Sequence, residues 1–214
     1  MQNLNTYNNF YFVGIGGIGM SALARYFHAA GKNVLGYDKT ETKLTTELQN
    51  EGISISFEDV VDEKFSELNK ENTLVIYTPA IKVLGILDYF NQNGFEVLKR
   101  AKVLGLITEN TECISVAGTH GKTTTSSLVA HLCKVANLPF SGFLWGIAEN
   151  YKSNFIYNGT EISVLEADEY DRSFLNLSPD WAIVTSIDAD HLDIYGDTET
   201  IEQGFRDFAD LVPK

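Results

Sequence analysis

Two glycine-rich turns, each set between a short apolar run and a helix-like stretch, limit what this chain can fold into more than anything else in it. Gly14-Ile15-Gly16-Gly17-Ile18-Gly19 follows the apolar run that opens at Phe10. Gly118-Thr119-His120-Gly121-Lys122-Thr123 follows the run Cys113-Ile114-Ser115-Val116-Ala117. Parallel strands need a crossover connection, usually a helix, so strand–turn–helix units point to a parallel α/β sheet. The rest of the chain keeps the alternation. Strands are expected at 10–15, 33–37, 73–77 and 95–98, and helices over 17–30, near 44–51 and near 84–93. A second unit is expected from Asn110, with strands at 113–117, 162–165 and 181–187 and helices over 123–136 and 201–211. In the first of those helices Leu128, Leu132 and Val135 share one face at i, i+4, i+7 spacing. Three strands are too few to complete a nucleotide-binding sheet. The expected architecture is therefore α/β: a Rossmann-like parallel-sheet domain over 1–109, then an incomplete P-loop α/β domain over 110–214.

Composition narrows the partners. With 44% hydrophobic residues in 214, the chain has material for a real core. A formal net charge of -13 argues against nucleic acid, which needs a basic footprint. Phosphate would have to be drawn in locally, by backbone amides, a few lysines and a metal ion. The polar start at 1–9 lacks the basic region of a signal peptide. The stretch 10–24 holds four glycines and falls short of the roughly 20 apolar residues of a membrane span. No membrane association is expected, and the expected location is the cytoplasm. Cys113 and Cys133, the only two cysteines, sit in apolar runs and read as small buried hydrophobes rather than a bridge or metal pair.

The 118–123 loop carries the clearest chemistry. Glycine lets successive N–H groups curl toward phosphate oxygens, and the helix that follows adds the positive end of its dipole. Lys122 has the reach for β- and γ-phosphates, and the Thr123 hydroxyl suits magnesium. The full P-loop pattern wants glycine where Val116 stands, so this is a shortened variant. Gly118, Thr119, His120, Gly121, Lys122, Thr123 and Thr124 form the candidate ATP cradle. Two apolar runs in the same unit end in acids. Glu166-Ala167-Asp168-Glu169 follows 162–165, and Asp188-Ala189-Asp190-His191-Leu192-Asp193 follows 181–187. Carboxyl ends of strands are where open α/β sheets bind ligands. Glu166 is the candidate first magnesium ligand. His191 is a weaker candidate for a metal or phosphate, since magnesium favours carboxylate over imidazole. His28 and His131, on helices, read as structural.

The 14–19 loop fits G-x-G-x-x-G, and Asp38 ends the next strand near the spacing at which an acid meets a ribose hydroxyl. Alone this suggests NAD or FAD. Any pyrophosphate suits such amides, so a UDP-sugar serves as well, and a plain turn is a third reading.

Taken together the motifs resemble the Mur ligase family over essentially all 214 residues. The likeness runs through Val13-Gly14-Ile15-Gly16-Gly17-Ile18-Gly19-Met20-Ser21 and Ala117-Gly118-Thr119-His120-Gly121-Lys122-Thr123-Thr124-Thr125. It continues in Glu166-Ala167-Asp168-Glu169-Tyr170-Asp171 and Asp188-Ala189-Asp190-His191-Leu192-Asp193-Ile194-Tyr195. Histidine at 120 is similar to the muramate-recognising members; ligases of later steps usually carry asparagine there. The resemblance implies a three-domain enzyme represented here by its first domain and part of its second. It implies UDP-sugar binding through Gly14, Gly16, Gly17, Ile18, Gly19 and Asp38, with ATP on the central domain. Lys122 would act on the γ-phosphate, Thr123 and Glu166 on a first magnesium, and His191 on a second. The implied reaction joins L-alanine to the carboxylate of UDP-N-acetylmuramic acid at the expense of ATP. The fragment alone would then be inactive, its amino-acid site lying mostly in the absent domain. Trp145 departs from the family, which commonly has a second glycine before the position of Gly146. The rival readings are a sister ligase that attaches a recycled tripeptide, an NAD-dependent oxidoreductase built on the 14–19 loop, and a nucleotide-binding module without catalysis.

Overall fold

The computed structural model describes residues 3–61, 65, 67–81, 84–188 and 198–213, with the backbone alone at 170, 171 and 198. It divides into two compact units, Met1–Val103 and Leu104–Lys214. That division falls six residues before the Asn110 of the sequence reading, because a helix at Arg100–Thr108, invisible to periodicity, runs across it.

In the first unit β1 (Asn9–Val13), β2 (Asn33–Tyr37), β3 (Ser54–Ser56), β4 (Thr73–Tyr77) and β5 (Glu96–Lys99) form a wholly parallel sheet in the order β3-β2-β1-β4-β5. The helices are α1 (Ile18–Ala29), α2 (Lys43–Asn50) and α3 (Gly85–Gln92), and α4 (Arg100–Thr108) runs on into the second unit. Successive side chains of a strand point to opposite faces, and a strand covered on both faces is apolar throughout. In β1, Phe10 stacks on Phe27 of α1 with ring centroids 3.8 Å apart, while Tyr11 meets Phe90 of α3 at 4.9 Å. One helix therefore lies on each face. The chain reverses direction across the sheet between β1 and β4, and the 14–19 loop leaves β1 at that point. A ligand crevice is expected there in a sheet of this order.

The second unit holds five strands where the sequence suggested three: β6 (Glu112–Ala117), β7 (Phe140–Ala148), β8 (Ser153–Tyr157), β9 (Ile162–Glu166) and β10 (Trp181–Val184). Their order is β10-β6-β9-β7-β8, parallel except for β8, which pairs antiparallel with β7. β7 begins directly after Pro139 and contains two glycines, which hid it from a reading based on apolar runs. The helices are α5 (Lys122–Val135) and α6 (Thr198–Ala209). α6 packs through Phe205 and Phe208 on Phe174 of the 3-10 turn Tyr170–Asn176.

The apolar face of α5 picked out by spacing is the exposed one. Leu128, Leu132 and Val135 are 59%, 66% and 71% exposed, and the buried side chains are Ser126, Ala130 and Cys133. The reason is close approach. Helix and sheet meet where Ala130 lies over Gly142 of β7, with only 3.2 Å between its Cβ and the place a Cβ on Gly142 would occupy. Small residues face the sheet, and the large ones are turned outward. Both cysteines are buried and free, as the sequence suggested.

Candidate phosphate-binding site

The 118–123 loop joins β6 to α5. Gly118 (φ 136°) and Gly121 (φ 76°) adopt backbone angles that side chains oppose, and Gly121 is the residue that caps α5. The first bond within the helix runs from Thr125 N to Gly121 O at 3.0 Å. The amides of Lys122, Thr123 and Thr124 therefore open the helix without an intrahelical acceptor, as an anion site requires. Those of Thr119 and His120 are otherwise engaged: Thr119 N donates to Ser186 O at 3.0 Å and His120 N to Ser186 Oγ at 3.1 Å. Thr185 Oγ1 donates to His120 O at 2.5 Å, and Asp188 N to Thr119 Oγ1 at 3.1 Å. The segment after β10 thus holds the loop in shape. Sequence reasoning passed over Thr185 and Ser186, whose hydroxyls carry no motif.

β6 is flanked in the sheet by β9 and β10, so three strand ends meet at one edge. Glu166 ends β9 opposite Val116 and is 2% exposed. Its Oε2 accepts from Trp145 N at 2.5 Å, and its carbonyl accepts from the Trp145 indole at 3.0 Å. Trp145, noticed in the sequence only as a departure from a pattern, is what holds this carboxylate. Oε1 is buried with no hydrogen-bond partner of ordinary geometry, although the Thr123 hydroxyl lies near enough to favour the ionised form. Burial raises the carboxyl pKa above its ordinary value. Thr123, the Trp145 amide and the Lys122 charge oppose that rise, and the charge of Asp168 adds to it. Desolvation wins. A buried carboxylate oxygen left over beside a threonine hydroxyl fits a small divalent cation that takes its other ligands from phosphate and water. Among the described residues no group of three or more His, Cys, Asp or Glu side chains is placed to hold a metal by itself.

Lys122 donates from Nζ to Gly118 O at 2.5 Å and to Glu169 Oε1 at 2.8 Å. Glu169, quoted in the sequence only as part of an acidic run, is a further residue of the site. His120 extends Nε2 to 3.7 Å from Asp188 Oδ2 at the exposed rim. His191 lies outside the described residues, as do Ala189, Asp190, Leu192 and Asp193. His131, read as structural, has Nδ1 2.8 Å from the Tyr151 hydroxyl.

The 14–19 loop belongs to the other unit. Gly14 (φ 87°) and Ile15 donate their amides to Tyr37 O, at 2.7 and 3.0 Å. Gly16 N donates to Asp38 Oδ2 at 2.7 Å, and Thr40 N to Asp38 Oδ1 at 3.1 Å. Asp38 therefore supports the 14–19 turn through Oδ2 and its own turn, at Thr40, through Oδ1. Any anion here would meet the N-terminal turn of α1.

The family description "Mur ligase family, catalytic domain" matches residues 9–111, and "Mur ligase middle domain" matches residues 116–214. A UDP-N-acetylmuramate–L-alanine ligase of Flavobacterium psychrophilum is 56% identical over 99% of this chain and 47% of its own length. One of Christiangramia forsetii is 50% identical over 100% and 48%. The chain spans about half the length of these curated relatives. Among solved structures, a UDP-N-acetylmuramate–alanine ligase of Thermotoga maritima superposes with a TM-score of 0.81 at 30% identity, covering 95% of this chain and 47% of that one. A UDP-N-acetylmuramate:L-alanyl-γ-D-glutamyl-meso-diaminopimelate ligase from Neisseria meningitides gives 0.81 at 25% identity, covering 97% and 69%. With the two family descriptions met in order along nearly its whole length, the chain belongs to the Mur ligase family.

Proposed function

We propose that the chain is the UDP-sugar-binding unit and part of the ATP-binding unit of a UDP-N-acetylmuramate–L-alanine ligase, acting in the cytoplasm on peptidoglycan precursors. The observation that carries this reading is the meeting of Lys122 and Thr123 with the partnerless Glu166 Oε1 at adjacent ends of β6 and β9. Choice of L-alanine over a recycled tripeptide rests on the relatives named for alanine, which are 56% and 50% identical. Among solved structures, a tripeptide ligase is 25% identical and an alanine ligase 30%. A nicotinamide reading is disfavoured by Asp38, whose two oxygens are taken up by the backbone amides of Gly16 and Thr40.

A carboxylate is a poor electrophile until one of its oxygens becomes a leaving group. Transfer of the γ-phosphoryl group of ATP to the muramic acid carboxylate gives an acyl phosphate. The amine of L-alanine then attacks, and phosphate departs. The chain's part is alignment and charge neutralisation. The amides opening α5 face the phosphates, and Lys122 leaves its present acceptors to meet the γ-phosphate. Thr123 and Glu166 would hold magnesium, which when bound offsets charge between the phosphoryl oxygens. His191 is proposed as a ligand of a second magnesium. Gly14, Gly16, Gly17, Ile18, Gly19 and Asp38 shape the pyrophosphate turn of the first unit, with contact through its helix amides.

Calorimetric titration of the chain with UDP-N-acetylmuramic acid, with ATP and magnesium, and with NADH tests the assignment. Saturable binding of the first two and none of NADH is expected. Binding of NADH in place of the UDP-sugar would overturn it.

A further inference from the structure

Glu169 is 3% exposed and Lys122 18%, so their 2.8 Å ion pair is largely cut off from water. The backbone around Glu169 is pinned on both sides. Ala167 N donates to Val116 O at 2.8 Å, tying the segment to β6. Phase of the following 3-10 turn is set by Phe174 N and Ser173 Oγ, which donate to Asp168 O at 3.0 and 3.1 Å. Arg172 N donates to Glu169 O at 3.0 Å, and Phe174 is stacked on Phe208 of α6. The carboxylate is thus a fixed anion at the mouth of the loop, while the lysine is a flexible chain that reaches it.

From this we infer that Glu169 is a positioning residue for Lys122. It parks the ammonium between itself and Gly118 O, and an incoming polyphosphate must compete with it for that charge. The inference rests on the reading of the 118–123 loop as a polyphosphate site. Two consequences separate it from a merely structural role. Neutralising Glu169 removes both a competitor for Lys122 and a like charge beside the β- and γ-phosphates, so metal-free ATP should bind more tightly. AMP, which has neither phosphate, should be indifferent.

The test is calorimetric titration of the 214-residue chain with ATP and with AMP, each with a divalent-metal chelator present, for wild type, Glu169→Gln and Lys122→Ala. Glutamine keeps the shape and the oxygen that receives Lys122. The expected result is ATP affinity about tenfold higher in Glu169→Gln, a typical size for one desolvated charge contact, with AMP unchanged. Equal or weaker ATP binding by Glu169→Gln, while Lys122→Ala binds none, would overturn the inference and leave the phosphate-loop reading standing. Absence of ATP binding by wild type even with magnesium would remove that reading and the inference with it. A measurement on wild type guards against an unfolded variant. The Lys122 ammonium should give a slowly exchanging nitrogen–proton NMR signal, identified by its loss in Lys122→Arg, that shifts when inorganic tripolyphosphate is added. A signal that stays put, or none at all, would count against it.

Discussion

Burial of Glu166 at the end of β9 holds its carboxyl pKa above the ordinary 4.5, and this has a calculable sign. Between 4.5 and the raised value the folded chain binds more protons than the unfolded one, so stability falls as pH rises through that window and stays lower above it. Glu166→Gln has no such proton to lose. Thermal melts should therefore show the variant more stable than wild type at pH 7, by roughly 2–4 °C for each kcal/mol relieved, and the gap should close at acid pH. A gap independent of pH would show that desolvation of the carboxylate is not the dominant effect. The same variant should lose the response of ATP binding to magnesium. Lys122→Ala should abolish ATP binding here and ligation in the complete enzyme, by calorimetry and by a phosphate-release assay; ligation at the wild-type rate would refute the role given to Lys122. Lys122, Thr123 and Glu166 could be picked out in the sequence because the first two follow β6 through a glycine turn and the third closes the apolar run of β9. Trp145 and Glu169 were not, because a backbone amide donor and the direction of one carboxylate in an acidic run depend on the sheet that brings them together.

At the scale of elements, the loop and the segment after β10 act as one piece. A methyl group on Gly118 would collide with the Thr185 hydroxyl and crowd the Ser186 backbone at 3.0 Å, on a residue at φ 136°. Gly118→Ala is expected to weaken ATP binding by much more than Thr185→Ser, read by the same titration. The close contact of α5 with β7 makes a second prediction. Ala130→Leu overpacks the Gly142 contact and should cost about 1–3 kcal/mol in urea unfolding, whereas Leu132→Gln on the outer face should stay within roughly 0.5 kcal/mol. The reverse ranking would mean that the spacing of Leu128, Leu132 and Val135 had named the packed face after all. Periodicity identified an apolar stripe on α5, but which stripe meets the sheet is decided by how near the two backbones come. Strands β2 and β4 were read from the sequence with their bounds intact, β4 as a continuous apolar or β-branched run and β2 as a short run interrupted inside only by Gly36. β7 and β8 were missed, because polar and glycine positions interrupt them and their pairing is antiparallel within a parallel sheet.

On the scale of the whole molecule, two α/β units each carry one glycine turn at the carboxyl edge of a sheet, and each turn is shaped by acids and hydroxyls of its own unit. The sequence showed both turns and their order. It did not show that Asp38 ties the 14–19 turn to the segment after β2, because hydrogen bonding to Gly16 is settled only when β2 lies beside β1. Convergence of the ends of β6, β9 and β10 on one metal-bound triphosphate is the claim on which the rest depends. The most direct test adds manganese and ATP to the isotopically labelled chain and follows paramagnetic broadening of its amide signals. The account predicts that broadening appears together at 118–124, Glu166 and Ser186, and that Lys122→Ala removes it. Broadening at Gly14, Gly16 and Gly19 instead, with the 118–124 amides untouched, would contradict it.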